Sequence, residues 1–263
     1  MSQSDQEKLE VDAAKNWDVF YKERTVNFFK DRHWLRRELP ELMPQSVRDN
    51  PGQHCEEYVP GTWKHTMEDA LIHLEVGCGV GNTVFPLMRA NPKLYCHCTD
   101  FSARAVEFVK MKPEYDPVRC NAFVSDIANE PLTKNVPANS VDFVTMLFVL
   151  SAIHPEKFRG VAANLFSTLK PGGVVFFRDY GRYDLAQLRF PSGHKVGDNL
   201  YMRGDQTRSY FFSLEEMKEI FEAEGFVVDE NRYVKKTVVN HKRGLTMQRI
   251  WVQVTNRPLL PIL

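Results

Sequence analysis

The stretch Ile72-His73-Leu74-Glu75-Val76-Gly77-Cys78-Gly79-Val80-Gly81-Asn82 constrains the fold more than any other part of the chain. An apolar run passes into glycines at every second position, and residues of helical spacing follow. That order predicts a buried strand, a tight turn and a helix. Glycine has no Cβ, so the turn can bend sharply and its backbone can approach a ligand closely. The following helix offers unpaired N–H groups to a polar ligand. A nicotinamide-binding domain starts in a similar way, but its fingerprint wants small residues at 77, 79 and 82. Here position 82 is Asn and the third glycine is Gly81. Glu75 stands just before the turn, and two more acids, Asp100 and Asp126, each follow an apolar run.

At 263 residues the chain is long enough for one full α/β domain with a sizeable core. Lys+Arg and Asp+Glu are equal at 34 each, so no global field draws the protein towards nucleic acid, and polyanion binding requires a local patch. No apolar run is long enough to span a bilayer, and the polar start Met1–Asp5 does not read as a signal peptide. A cytoplasmic or nuclear protein without a membrane partner is expected. The five cysteines, at 55, 78, 96, 98 and 120, suggest no disulfide framework. Cys96, His97 and Cys98 sit together, but alternation along a strand separates the histidine from the cysteines, so no metal site is expected.

Residues 1–70 read as a tail, an aromatic helical segment and a loop; residues 71–263 read as the main domain. Trp17, Phe20 and Tyr21 fall on one helical face, which suits core packing or a lid over a ligand. Residues 40–66, with four prolines, read as a surface loop. Strands are predicted at about 71–76, 94–99, 121–124, 141–148 and 174–178, alternating with helices at 83–90, 103–112 and 155–169. Ser102 is a candidate N-cap, and Ser213-Leu214-Glu215-Glu216 a capping box for a helix that ends at Gly225. Residues 179–212 form an insertion rich in Arg, Tyr, Phe and Gly, and strands at about 226–234 and 245–254 close the chain. The alternation implies a doubly wound, mostly parallel sheet with helices on both faces.

Glu75, the three glycines and the spaced acids resemble motif I of the class I S-adenosylmethionine-dependent methyltransferases, whose Rossmann-like sheet has seven strands. In an open parallel sheet, ligands bind beyond the carboxyl ends of the strands. On that reading Asp100 accepts hydrogen bonds from ribose hydroxyls, Asp126 and Ile127 hold and flank adenine, and Leu147 packs against its ring. The runs Lys15–Asp18, Phe28–Trp34, Leu74–Pro86, Phe148–Ile153, Phe177–Asp184 and Arg208–Phe212 resemble the eukaryotic tRNA 3-methylcytidine methyltransferases. The likeness covers about residues 11–257 and leaves 40–66 outside it. It implies S-adenosylmethionine as cofactor, S-adenosylhomocysteine as product, and methylation of N3 of cytidine 32 in the anticodon loop. It also implies that Trp17 and Tyr21 help enclose the cofactor. The runs Arg178–Asp184 and Leu245–Trp251 look closest to the branch acting on threonine and some arginine tRNAs, with the seryl-tRNA branch as the other option. Some family members rely on an aminoacyl-tRNA synthetase or another accessory protein. A monomer is expected.

Cytidine N3 carries an in-plane lone pair at neutral pH, so positioning replaces a general base and can contribute roughly 7–11 kcal/mol. A carboxylate near the base would stabilise the charge that moves onto it. Asp179, at the end of strand 5, is the catalytic candidate, with Arg178 and Tyr180 beside it; the alternative is that Asp179 pairs with Arg178 or caps the insertion. Tyr180, Tyr183 or Phe190 would stack a flipped base. Phosphate contacts are expected from Arg32, His33, Arg36, Arg37, Arg182, Arg189, Lys195, Arg203, Arg208, Lys242 and Arg243, with His154 a weaker candidate near the base. Two other readings share the same sheet. One is a methyltransferase for a protein or small molecule; the other is a non-catalytic tRNA-binding subunit.

Overall fold

The computed structural model describes residues 3–50, 59–240 and 244–259. Helices α1 (Gln3–Val11) and α2 (Ala13–Arg24) open the chain, followed by two short helices, α3 (Leu35–Glu38) and α4 (Gln45–Asp49). Alternation then begins with β1 (Leu71–Val76), α5 (Val84–Ala90), β2 (Leu94–Asp100), α6 (Ala103–Lys110), β3 (Cys120–Val124), β4 (Val141–Leu147), α7 (Phe158–Thr168) and β5 (Leu169–Tyr180). The insertion holds α8 (Leu185–Leu188) and the strands β6 (Lys195–Gly197), β7 (Leu200–Met202) and β8 (Arg208–Tyr210). Helix α9 (Leu214–Glu222) and the hairpin β9 (Phe226–Asn240) and β10 (Leu245–Pro258) complete the fold.

The main sheet has seven strands in the order β3-β2-β1-β4-β5-β10-β9. Strands β1 to β5 run parallel, and β10 pairs antiparallel with both β5 and β9. Strand order reverses at β1, which pairs with β2 on one side and β4 on the other. A crevice therefore opens beyond the carboxyl ends of these strands. Alternating side chains of each strand feed two cores, as expected for a sheet covered on both faces. Val175 and Phe177 of β5 pack with Val161 and Leu165 of α7 and Phe221 of α9. Phe176 packs with Phe85 and Leu87 of α5 and Val106 of α6. The insertion strands form a small antiparallel sheet of their own, anchored by the fully buried Phe211 and Phe212.

Local signals behave as chemistry requires. Ser102 accepts the Ala105 N–H as N-cap of α6, and Ser213 and Glu216 complete a reciprocal capping box at α9. Pro86, the third residue of α5, lacks only an N–H that the first turn leaves unpaired. Cys98 and Cys120 sulfurs lie 3.7 Å apart on one face, while His97 turns to Asn121 on the other. Among the described residues no group of three or more His, Cys, Asp or Glu could hold a metal ion, and no helix is long and apolar enough to cross a membrane.

The 40–66 stretch is more than a surface loop. Leu42, Met43 and Val47 are buried with Leu35 and Leu39 against α5, because a one-turn helix at Pro40–Leu42 and α4 turn their apolar residues inward. Proline marked the turns correctly but concealed this short-range periodicity. Residues 51–58, including Cys55, lie outside the described residues. The closing strands reach Asn240 and Pro258, well past the predicted ends.

Candidate active site

The glycine turn shapes the crevice. Gly77 has φ +65° and Gly79 φ +53°, a region that L side chains rarely occupy. A Cβ on Gly77 would overlap the Val149 side chain, and one on Gly79 would stand 2.9 Å from the Tyr21 hydroxyl oxygen. At this turn the backbone can therefore approach a ligand that a side chain would keep away. Gly81 sits deeper, its N–H donating to the Cys78 carbonyl at 3.0 Å.

A cavity of about 380 Å³ lies over this turn. Trp17 and Tyr21 of α2 form one wall; Gly77, Thr99, Asp100 and Phe101 form the floor; Ser125, Asp126, Ile127 and Ala128 form a second wall; Phe148, Val149, Ala152 and Ile153 form the third. Glu10, Lys157 and Arg208 stand at one margin, with Glu10 bonded to both cations. Asp100 accepts the Gly79 N–H at 2.9 Å and the Ser102 N–H at 3.0 Å. A carboxylate has about four lone-pair sites, and with the Phe101 N–H also favouring its charge, acceptor capacity remains for a ribose hydroxyl. Asp126 accepts from the Ala128 N–H at 3.0 Å and the Asn129 amide at 2.6 Å.

Burial pushes the Asp100 carboxyl up to about 6 from 3.8, against the Ser102 and Gly79 N–H groups that favour its charge. Ionised Asp100 accepts hydrogen bonds; protonated Asp100 loses that capacity on one oxygen. Cofactor affinity is therefore expected to weaken as pH falls through about 6. Asp100→Asn should bind about tenfold or more weaker at pH 7.5 and lose that pH dependence, as measured by titration calorimetry.

Leu147 and Glu75, expected against the cofactor, and Arg32, expected on a phosphate, take other places. Leu147 is buried in the core and outside the cavity lining; the next two residues, Phe148 and Val149, form the wall instead. The reason is the backbone of Phe148, whose φ of +61° ends the strand at Leu147, one residue before the predicted end, and turns the next side chains into the cavity wall. Glu75 is also fully buried beneath the turn. The Thr145 hydroxyl donates to it, and Arg32 Nη1 lies 3.5 Å away. Burial raises the Glu75 carboxyl to about 8, with Arg32 opposing the shift. Arg32 in turn donates to Thr83 Oγ1 at 2.9 Å. Its charge is thus spent inside the fold rather than on a phosphate.

The expected catalytic group is divided by the alternation of β5. Arg178 lies over the Trp34 ring at 4.0 Å, 3.2 Å from Glu38, and bonds to Gln253; burial lowers it to about 10. It braces the N-terminal segment. Asp179 faces the other way, fully buried, and accepts the Ser151 N–H at 2.9 Å and the Tyr180 N–H at 2.8 Å. Burial raises it to about 7. Asp179 therefore does not pair with Arg178. The Tyr180 ring lies 5.2 Å from Phe148 and 5.7 Å from Phe211.

The proposed substrate contacts separate into buried and exposed sets. Arg36 and Arg208 are buried, and Arg208 donates to Glu10 and, at 3.2 Å, to the Ala152 carbonyl. Arg182 lies 3.8 Å from Glu216 and Arg203 3.9 Å from Asp205. His33, Arg37, Arg189 and Lys195 are exposed, with His33 beside Asp31 and Lys195 beside Asp198. Tyr183 is 72% exposed and touches no ring among the described residues, whereas Phe190 is stacked on Tyr201 at 4.8 Å. His154 lies 3.7 Å from Glu156. Lys242 and Arg243 lie outside the described residues. The structure adds residues that spacing did not suggest. Trp251 packs 5.6 Å from Phe148, and Arg249 lies over Tyr180 and Trp251 while held by Asp184 at 2.9 Å. Pairing of Trp251 with Tyr180 across β10 and β5 brings them together, and only strand register reveals that.

The pocket suits S-adenosylmethionine. The Thr99 hydroxyl on its floor has no hydrogen-bond partner among the described residues, Gly77 leaves a cradle that any Cβ would fill, and Asp100 matches a ribose. Sheet order, glycine turn and placed acids together define a class I methyltransferase. Residues 28–231 match the family described as "Methyltransferase domain". A solved S-adenosylmethionine-dependent methyltransferase from Anabaena variabilis shares the fold at TM-score 0.61 and 15% identity, covering 93% of this chain and 94% of that one. The human tRNA N(3)-cytidine methyltransferase METTL6 is 45% identical over 94% of this chain and 81% of its own length. The Danio rerio tRNA N(3)-cytidine methyltransferase METTL2 is 43% identical over 97% of this chain and 76% of its own length. The chain belongs to the tRNA N(3)-cytidine methyltransferase family.

Proposed function

We infer that this chain is an S-adenosylmethionine-dependent tRNA methyltransferase that forms 3-methylcytidine at position 32 of the anticodon loop. One observation beyond family membership carries the tRNA reading. Residues 231–263 contain seven Lys or Arg and no Asp or Glu, whereas all 34 acids lie in the first 230 residues. Strand β9 itself carries Asp229 and Glu230 near its start, so the excess of positive charge belongs to the outer half of the closing hairpin. Lys235 and Lys236 are exposed there, whereas Arg232 is paired with Glu230 and Glu38, Arg249 with Asp184 and Arg257 with Asp229. Strand β10 pairs with β5 only from Trp251 to Asn256, so the outer half of the hairpin extends past the main sheet. An arm of this charge suits a phosphate backbone.

S-adenosylmethionine supplies an electrophilic methyl group on a sulfonium. The protein's share of the work is placement. Trp17 and Tyr21 line the cavity and would cover the cofactor, Asp100 would orient it, and Val149 and Phe148 form a wall beside the aromatic residues beyond it. N3 of cytosine attacks through its own lone pair and needs no proton acceptor. The methylated base becomes cationic, and Asp179, buried nearby at the end of β5, is the carboxylate that would favour that charge.

Labelled methyl transfer to threonine, arginine and serine tRNAs, followed by mapping of the product nucleoside, tests this reading. 3-Methylcytidine at position 32 of at least one tRNA is the expected result, and the threonine tRNA carries the branch expectation. Methyl incorporation only into protein or small molecules would sink it. Affinity for tRNA is also expected to fall steeply with salt. Lys235→Ala with Lys236→Ala should lower the slope of log K against log salt by roughly 2 while cofactor affinity stays unchanged. An unaltered slope would exclude the arm from the phosphate contacts.

A further inference from the structure

The wall of the cofactor cavity continues outward into an aromatic corner. Phe148, which lines the cavity, has its ring 5.2 Å from Tyr180 and 5.6 Å from Trp251, at interplanar angles of 46° and 78°. Tyr180 and Trp251 are register partners across β5 and β10. The Arg249 guanidinium lies 5.6 Å from the first ring and 5.9 Å from the second, fixed by the buried Asp184 carboxylate.

Two independent features of this corner are unfavourable for folding alone. Phe148 sits at φ +61°, where a bulky side chain is rare and strained, and its N–H is held by the Arg178 carbonyl at 2.8 Å. Backbone strain of this kind gathers at ligand sites. The indole Nε1–H of Trp251 is buried and finds no acceptor among the described residues. A buried donor left unpaired is destabilising, and native chains keep few of them. The two features meet in one ring contact, beside the cavity that carries the methyl donor.

We propose that Phe148, Tyr180 and Trp251 form the pocket for the flipped cytosine, and that the Trp251 indole N–H donates to the base's exocyclic O2. The inference rests on the tRNA reading above and names the residue that fixes the base within it. The chemistry of the cytosine edge selects O2. N4 carries only donors, so an N–H cannot bond it. A donor on N3 would occupy the lone pair that must attack the methyl group. O2 is the acceptor that leaves N3 free.

Trp251→Phe retains a ring and removes the donor. Its kcat/KM for tRNA is expected to fall about tenfold, with the cofactor Kd within twofold and Tm unchanged or higher, since an unpaired buried donor has gone. A merely structural tryptophan would lower Tm and leave the kinetics of the folded fraction intact. The second arm uses the unaltered chain and tRNA carrying 2-thiocytidine at position 32, whose sulfur is a poor acceptor. The wild type should lose about tenfold on this substrate, and Trp251→Phe should show little further loss. Equal thio penalties in both proteins, or wild-type kinetics for Trp251→Phe on natural tRNA, would overturn the pocket alone. Failure of the wild type to form 3-methylcytidine on any tRNA would overturn the tRNA reading and the pocket with it.

Discussion

Gly77→Ala is expected to abolish measurable cofactor binding and methyl transfer and to lower stability by about 2–5 kcal/mol. Two costs combine at this position. The alanine must hold φ +65°, which an L residue adopts at about 1–2 kcal/mol. Its Cβ also overlaps Val149, a wall residue on the turn that follows β4. Relief of that overlap moves Val149 into the cavity or pushes the glycine turn outward, and either movement closes the space a cofactor would take. Denaturant melts and calorimetric titration separate the two losses. Adding Val149→Ala should recover part of the stability, because it removes the overlap and leaves the backbone strain. Gly79→Ala should be milder, since its Cβ meets only the hydroxyl end of the Tyr21 side chain. Cofactor affinity within threefold of wild type in Gly77→Ala would refute this account of the turn.

Much of this site was readable because the relevant residues punctuate the chain. Glycines at 77 and 79 and acids at 100 and 126 stand where strands end, and alternation of strand and helix places those ends side by side. Trp17 and Tyr21 were legible for a similar reason, since helical spacing puts both rings on one face, and both line the cavity. Leu147 was missed by one residue because a left-handed Phe148 cannot be inferred from an apolar run. Arg32, Arg36 and Arg208 looked like phosphate ligands because a cation in a sequence gives no hint of its partner. Arg32 meets Glu75 and Arg208 meets Glu10, at separations of 43 and 198 residues that only the folded sheet brings together. Equal totals of acids and bases exclude a global field and leave room only for a local patch, and the order of the residues places the acid-free stretch at 231–263. Trp251 could not be found without strand register, because its significance comes from lying across from Tyr180.

Asp179→Asn is expected to lower methyl transfer by about 10²–10³-fold while cofactor affinity changes by no more than about threefold. The carboxylate accepts the N–H of Ser151 and of Tyr180, and so ties the turn after β4 to the end of β5. Asparagine offers one oxygen and one NH₂ group, so it retains only the bonds to that oxygen and points a donor at the N–H groups on the other side. The turn stays in place, but the buried negative charge is gone. That charge would favour the cationic base forming in the transition state, a difference felt in turnover rather than in cofactor binding. The pH dependence supplies the discriminating sign. Burial lifts Asp179 to about 7 from 3.8, so the wild-type turnover should rise with pH through about 7 as the carboxylate ionises. Stability should move oppositely. The folded state binds this proton more tightly than the unfolded chain, so Asp179 makes folding progressively less favourable between pH 3.8 and about 7. Asp179→Asn escapes that loss and should gain stability relative to wild type on going from pH 5 to pH 8. Near-normal single-turnover rates in Asp179→Asn would reduce Asp179 to a tie between two strand ends. A rate deficit without the relative gain in stability would mean that Asp179 is already ionised well below neutral pH, held there by the Ser151, Tyr180 and Val149 N–H groups and the Ser151 hydroxyl against its burial.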